Sequence, residues 1–157
     1  MPTYRRQPGF TLIELIVVIG LVVILAGLAA VSYTAVQQKG RDAQRKNDLN
    51  QIKIALTTYY NAQVPVSYVA SSGATPPAQI TIDNSTDALS LALKPNFLKT
   101  VPIDPINVTP NVYKYQSYLT GSVNTDFKLF ATLENKTDPK GQAGGVWVTD
   151  GYVVQNE

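Results

Sequence analysis

Residues 10–36 read FTLIELIVVIGLVVILAGLAAVSYTAV, and their only charge is Glu14. At 27 residues (36 − 10 + 1) the stretch exceeds the roughly 20 apolar residues a helix needs to cross a hydrocarbon core. A buried helix of a water-soluble domain would show a polar face, and this one is apolar all round. A cleaved secretory signal is the second alternative, since Arg5 and Arg6 precede the run and Ala26, Gly27, Ala29 and Ala30 are small enough for a cleavage site. Glu14 opposes it, because an acid near the middle of a span costs on the order of 3 kcal/mol on insertion scales. The helical pattern also runs on past Ala30.

Working outward, residues 37–62 become amphipathic, with Ala35, Leu49, Ile52, Leu56 and Tyr59 or Tyr60 near helical spacing. Asp42 and Lys46 stand four apart in the favourable order, acid first. One unbroken helix over residues 10–61 would be about 78 Å long, with Pro65 as its far limit and Gly20, Gly27 and Gly40 as its weak points. Its first half calls for lipid or other helices, and its second half for one packed face.

The remainder has a different texture. Residues 64–81 are rich in Ser, Ala, Pro and Gly and read as a loop with Pro76-Pro77 at its stiffest point. A short helix is expected over 86–93, capped by Asp83, Ser85 or Thr86 and stopped by Pro95. Three prolines make 101–110 an ordered connection and not a central strand. Residues 112–119 are Tyr-rich, and Phe127, Leu129, Ala131 and Leu133 alternate with Lys128, Phe130, Thr132 and Glu134, a strand period of two. Residues 146–149 and 152–155 flank Asp150-Gly151, a strong hairpin signal. The expected fold is α+β: a long N-terminal helix, with a membrane half and an amphipathic half, packed on a small antiparallel sheet of three to four strands.

Composition narrows the chemistry. Among 157 residues there is no Cys and no His, which excludes a Ser-His-Asp triad, a Cys-His pair, a zinc-finger ligand set and a haem histidine. Asp104, Asp126, Asp138 and Glu134 sit in turn, edge or alternating-strand contexts where a solvated charge is the ordinary reading, so no carboxylate-pair enzyme is expected. Asp104, Asp126, Asp138 and Asp150 form no regular Asp-x-Asp loop, and neither calcium nor another metal or cofactor is expected. The lysines beyond residue 90 are scattered among acids, leaving no stripe for nucleic acid. Tyr113, Tyr115 and Tyr118 read as sheet packing before they read as a ligand surface, although a membrane-anchored binding protein stays open. Three Asn-x-Ser/Thr matches, at Asn84, Asn107 and Asn135, read as chance.

Gly9-Phe10-Thr11-Leu12-Ile13-Glu14-Leu15, after a leader with Arg5 and Arg6 and before a long apolar helix, resembles the class III leader of type IV pilins and type II secretion pseudopilins. The resemblance extends less sharply through Arg41-Asp42-Ala43, Asp48-Leu49 and Tyr59-Tyr60. Residues 98–105 (LKTVPIDP) and Tyr113-Lys114-Tyr115 are similar to major-pseudopilin domains. It implies a cleaved leader at 1–9, a membrane and filament-core half at 10–36, an amphipathic half at 37–62, and a globular domain at 63–157 with an αβ-loop and a C-terminal antiparallel sheet. It further implies cleavage between Gly9 and Phe10 by a prepilin peptidase, N-methylation of Phe10, storage in the membrane, and assembly into a homo-oligomeric helical filament. An assembly ATPase and an inner-membrane platform protein are the implied partners. The acid matching Glu14 would pair with a neighbouring subunit's N-terminal amine and set register. The implied location is the cytoplasmic membrane, single-pass with the C-terminal domain outside, then a periplasmic or extracellular filament. Pilus subunit, pseudopilin of a secretion machine and pseudopilin of a DNA-uptake machine all remain open. The chain lacks the proline many pilins carry within the apolar run, and their C-terminal disulfide loop.

One signal conflicts with that orientation. Lys39, Arg41, Arg45 and Lys46 follow the span and only Arg5 and Arg6 precede it, so a bare count of basic residues would place the following side in the cytoplasm. Removal of residues 1–9 would also lower the basic residues from 13 to 11, equal to the 11 acids, so the formal +2 belongs to the leader.

Overall fold

The computed structural model describes residues 9–71, 78–136 and 151–155, apart from the side chains of 29–32. The chain divides into two compact units, Met1–Gln37 and Gln38–Glu157. Helix α1 (Leu12–Ala62) begins in the first and ends in the second, and it is continuous through Gly20, Gly27 and Gly40.

The first unit is described by the exposure of its helix. Every described side chain of residues 12–28 is exposed, and this is a helix long and apolar enough to cross a membrane. So much uncovered apolar surface is unstable in water and requires lipid or other protein around it.

The second unit supplies its own core. Leu49, Ile52, Ala55 and Leu56 repeat at helical spacing and are buried, with Tyr59 and Tyr60 half-buried beside them. They meet a four-stranded antiparallel sheet of β1 (Ile80–Thr81), β2 (Lys114–Thr120), β3 (Val123–Thr132) and β4 (Gly151–Gln155), in the order β1-β2-β3-β4. Tyr113, Tyr115, Phe127, Leu129 and Ala131 face the helix, and α2 (Ala88–Leu93) adds Leu89 and Leu93 to the same cluster. The two core tyrosines find acceptors, as buried hydroxyls must: Tyr113 donates to Asp48 at 2.8 Å and Tyr115 to the Val69 carbonyl at 2.6 Å.

The alternation of Phe127, Leu129 and Ala131 is the buried face of β3, as its period of two requires, and Leu133, just past the strand, is buried too. Phe130, on the other face, is buried as well. β2 and β3 join through Gly121-Ser122, with Thr120 paired to Val123 and Gly121 at φ +67°. Glycine in the first central position is the type II′ hairpin signal. Thr125 is an extra residue in the ladder between Tyr118↔Asp126 and Leu119↔Asn124, a bulge that bends the hairpin end.

Several expectations are corrected. Residues 80–81, read as loop, form β1, because Tyr115 and Lys114 offer an open ladder edge. The N-cap of α2 is Asp87, whose carboxylate accepts from the Ser90 amide; Asp83 instead closes the preceding turn onto Ser85 and Thr86. Ala35 is exposed and belongs to no core face. Asp42 turns to Arg45, one residue nearer than Lys46, while Lys46 lies over the Tyr152 ring at 5.7 Å. Pro76-Pro77, the strand expected over 146–149 with Trp147, and Asp150 lie outside the described residues.

Candidate functional site

Phe10 stands 87% exposed immediately ahead of the helix, and a Cβ added at Gly9 would meet nothing within 4 Å. Thr11 is the N-cap. Its amide and hydroxyl both donate to Oε2 of Glu14, at 2.9 and 2.7 Å, and the Glu14 amide donates back to the Thr11 hydroxyl at 3.3 Å. This reciprocal pair is a capping box, which satisfies helix-start donors that would otherwise be orphaned. Its pattern, Thr-x-x-Glu, stands in the sequence as Thr11-Leu12-Ile13-Glu14, and reading Glu14 only as an intramembrane acid passed over it. Both Thr11 donors converge on one oxygen, leaving Oε1 out of the capping bonds. Phe10, Ile13, Val17 and Val18 line, together with Glu14, a shallow open hollow of about 400 Å³. Arg5 and Arg6 lie outside the described residues.

A second charged cluster lies within the other unit, where α1 meets the sheet. Arg45 is fully buried and donates to three carboxylates: Nε and Nη2 to the two oxygens of Asp104 at 2.7 and 3.1 Å, and Nη1 to Asp42 at 2.7 Å and Glu134 at 2.8 Å. Arg41 adds a bidentate pair with Glu134 at 2.7 and 2.6 Å. Asp42 also accepts the amides of Glu134 and Asn135 at 3.0 and 2.8 Å. Hydrogen bonds from Arg41, then Arg45, hold the Glu134 carboxyl down at about 2 despite desolvation. Asp48 moves the other way, since burial pushes its pKa up more than the Tyr113 hydroxyl pulls it down.

The reading of Asp104 and Glu134 as solvated charges is therefore corrected: Asp104 is buried and Glu134 nearly so, and both compensate a buried guanidinium. The sequence carried a signal for this, because Arg45 falls on the face of α1 that also holds Leu49, Ile52 and Leu56. Of the other acids weighed for a cation, Asp126 accepts from its neighbour's amide, and Asp138 and Asp150 lie outside the described residues. Asn84 is half-buried and its side-chain oxygen accepts the Val101 amide.

Chemically, the first cluster offers one carboxylate acceptor in an apolar surround, and the second is an ion network closed on itself. Residues 4–30 match the prokaryotic N-terminal methylation motif, the class III leader of type IV pilin-like proteins. That motif marks a structural class of protein. No curated protein and no solved structure matches the chain.

Proposed function

We infer that the protein is a structural subunit of a type IV pilus-like filament. It is cut between Gly9 and Phe10 by a prepilin peptidase, methylated on the new Phe10 amine, stored in the membrane and polymerised through α1. The observation that carries the reading is the Gly9/Phe10/Glu14 set within the matched motif, at the head of a helix whose described side chains from 12 to 28 are all uncovered. Cleavage would create an ammonium beside Glu14, and amine and carboxylate are each costly alone in apolar surroundings. Paired between subunits, with Oε1 of Glu14 as acceptor, they offset one another and fix axial register.

The second unit faces outward in this reading. Arg41 and Arg45, two of the four basic residues that argue for the opposite orientation, bind Glu134 and Asp104 inside the folded unit. Their presence after the span is accounted for by the fold.

Mass spectrometry of the mature protein tests the processing: an N-methylated Phe10 start is expected, and a start near Val31 would replace the reading with an ordinary secreted protein. Glu14→Ala is expected to abolish filaments while leaving membrane insertion intact, and normal filaments from that variant would sink the register role. Electron microscopy of cells with and without the gene separates a surface pilus from a pseudopilus of a secretion or DNA-uptake machine.

A further inference from the structure

Of the four basic residues that follow the apolar run, the fold accounts for Arg41 and Arg45 through their carboxylates and sets Lys46 over an aromatic ring. Lys39 is left, exposed on the first turn of the second unit. Side chains on an α-helix lean toward its N-terminal end. That end carries the span, and Lys39 stands three positions past Val36, a rise of about 4.5 Å.

A second feature is fastened to the same turns of α1. Residues 105–110, Pro-Ile-Asn-Val-Thr-Pro, are all exposed and carry no charge, with Ile106 and Val108 at 39% and 63% exposure. Asp104, the partner of Arg45, accepts the Ile106 amide at 2.9 Å. At the other end of the loop the Thr132 hydroxyl donates to the Pro110 carbonyl at 3.1 Å, two residues from the Glu134 that binds Arg41. A single exposed valine calls for no explanation. Two branched apolar side chains on one uncharged loop, pinned beside the first basic turn after a span, do.

We propose that this loop and Lys39 rest together in the headgroup layer of a phospholipid bilayer, with Ile106 and Val108 at the acyl boundary and the Lys39 ammonium on lipid phosphate. The proposal rests on the membrane-storage reading above and adds a contact outside the span. Continuity selects lipid as the occupant. Val36 and Arg41 are five residues apart, a reach of at most about 18 Å in any conformation, so this end of the second unit is tethered to the bilayer surface. Size agrees, because two branched side chains fall far short of the about 800 Å² per partner of a stable protein complex. A surface already held by a span needs no such area. Chemistry sets the depth: the irregular backbone of the loop keeps it out of hydrocarbon, whereas the headgroup level hydrates that backbone and still takes the apolar side chains.

The chain has no cysteine, so one fluorophore can be placed at will. Full-length protein carrying Leu25→Cys, Val108→Cys or Ser122→Cys, each labelled with bimane, is reconstituted into vesicles of equal phosphatidylcholine and phosphatidylglycerol. Chain-brominated lipid reports on Leu25, within the span, and a headgroup nitroxide on the other two. The Val108 probe is expected to be quenched at least about twofold more than the Ser122 probe at the β2–β3 turn. A Val108 probe quenched no more than Ser122, with Leu25 quenched, would overturn the proposal and leave the membrane reading standing. Quenching at Val108 without Leu25 keeps the contact and removes the span, and quenching at neither removes both. As a second arm, Lys39→Glu with Ile106→Asp is expected to bring the Val108 probe down to the Ser122 level. Unchanged quenching in that variant would overturn the assignment of these two side chains, and matching thermal unfolding of variant and parent ensures that the loss is not misfolding.

Discussion

Arg45 and Asp104, 59 positions apart, form a bidentate pair with both side chains fully removed from solvent. Removing one partner of such a pair costs more than the pair contributes, because the remaining charge stays buried without compensation. Asp104→Ala is therefore expected to destabilise the second unit by about 3–5 kcal/mol, read as a lowered urea midpoint. A loss within the range of a surface substitution would mean that water reaches the guanidinium.

Acid should act through Glu134. Its pKa falls from the ordinary value of 4.5 to about 2 because Arg41 and Arg45 hydrogen-bond its ionised form. A carboxyl with a depressed folded-state pKa contributes stability that is complete above the unfolded value and is lost as pH falls through the folded one. The wild-type melting temperature should thus drop between about pH 4.5 and 2, and Glu134→Gln should flatten that limb. Asp48 opposes it with the reverse sign, since its raised pKa favours the protonated carboxyl. Melts across this range for wild type, Glu134→Gln and Asp48→Asn check both signs.

The capping box predicts a local effect. Thr11→Ala removes the hydroxyl that bonds Glu14 in both directions, and losing a cap costs about 1 kcal/mol. Amide exchange at Glu14 and Leu15 in detergent micelles should quicken in Thr11→Ala and stay protected in Thr11→Ser.

At the β2–β3 hairpin, Gly121 holds φ +67° with open space around it. Gly121→Ala meets no clash with neighbours, so its cost is conformational, about 1–2 kcal/mol. A lower melting temperature without loss of the β2–β3 register by NMR is expected.

Much of this architecture could be read from residue pattern alone, because the signals were periodic. An apolar run without a polar face, Leu49, Ile52 and Leu56 at helical spacing, and Phe127 to Leu133 at a period of two each tie burial to secondary structure. What pattern could not supply were contacts between distant positions. Asp104 and Glu134 look solvated in their own neighbourhoods, and only the meeting of three elements around Arg45 makes them interior. β1 is two residues long and exists because β2 offers an edge, so no local propensity announces it. Asp83 and Asp87 compete for the same cap, and a difference of geometry within one turn decides it. At the first cluster, the acid was visible from its cost in a membrane, while its bond to Thr11 required the capping pattern to be read as well.

The bonds from the Glu134 and Asn135 amides to Asp42 cross 92 and 93 positions of sequence. They therefore give the fold an order in time. While the chain is being synthesised, the helix emerges with Arg41, Asp42 and Arg45 long before the residues that complete them. Until Glu134 is made, the buried guanidinium of Arg45 and the half-buried one of Arg41 have only part of their set of carboxylates. Closure of so long a loop is slow, and it comes late. A chain cut short before Glu134 would therefore keep its apolar N-terminal helix while Arg45 lacked one of its three carboxylates and Arg41 the one it pairs with.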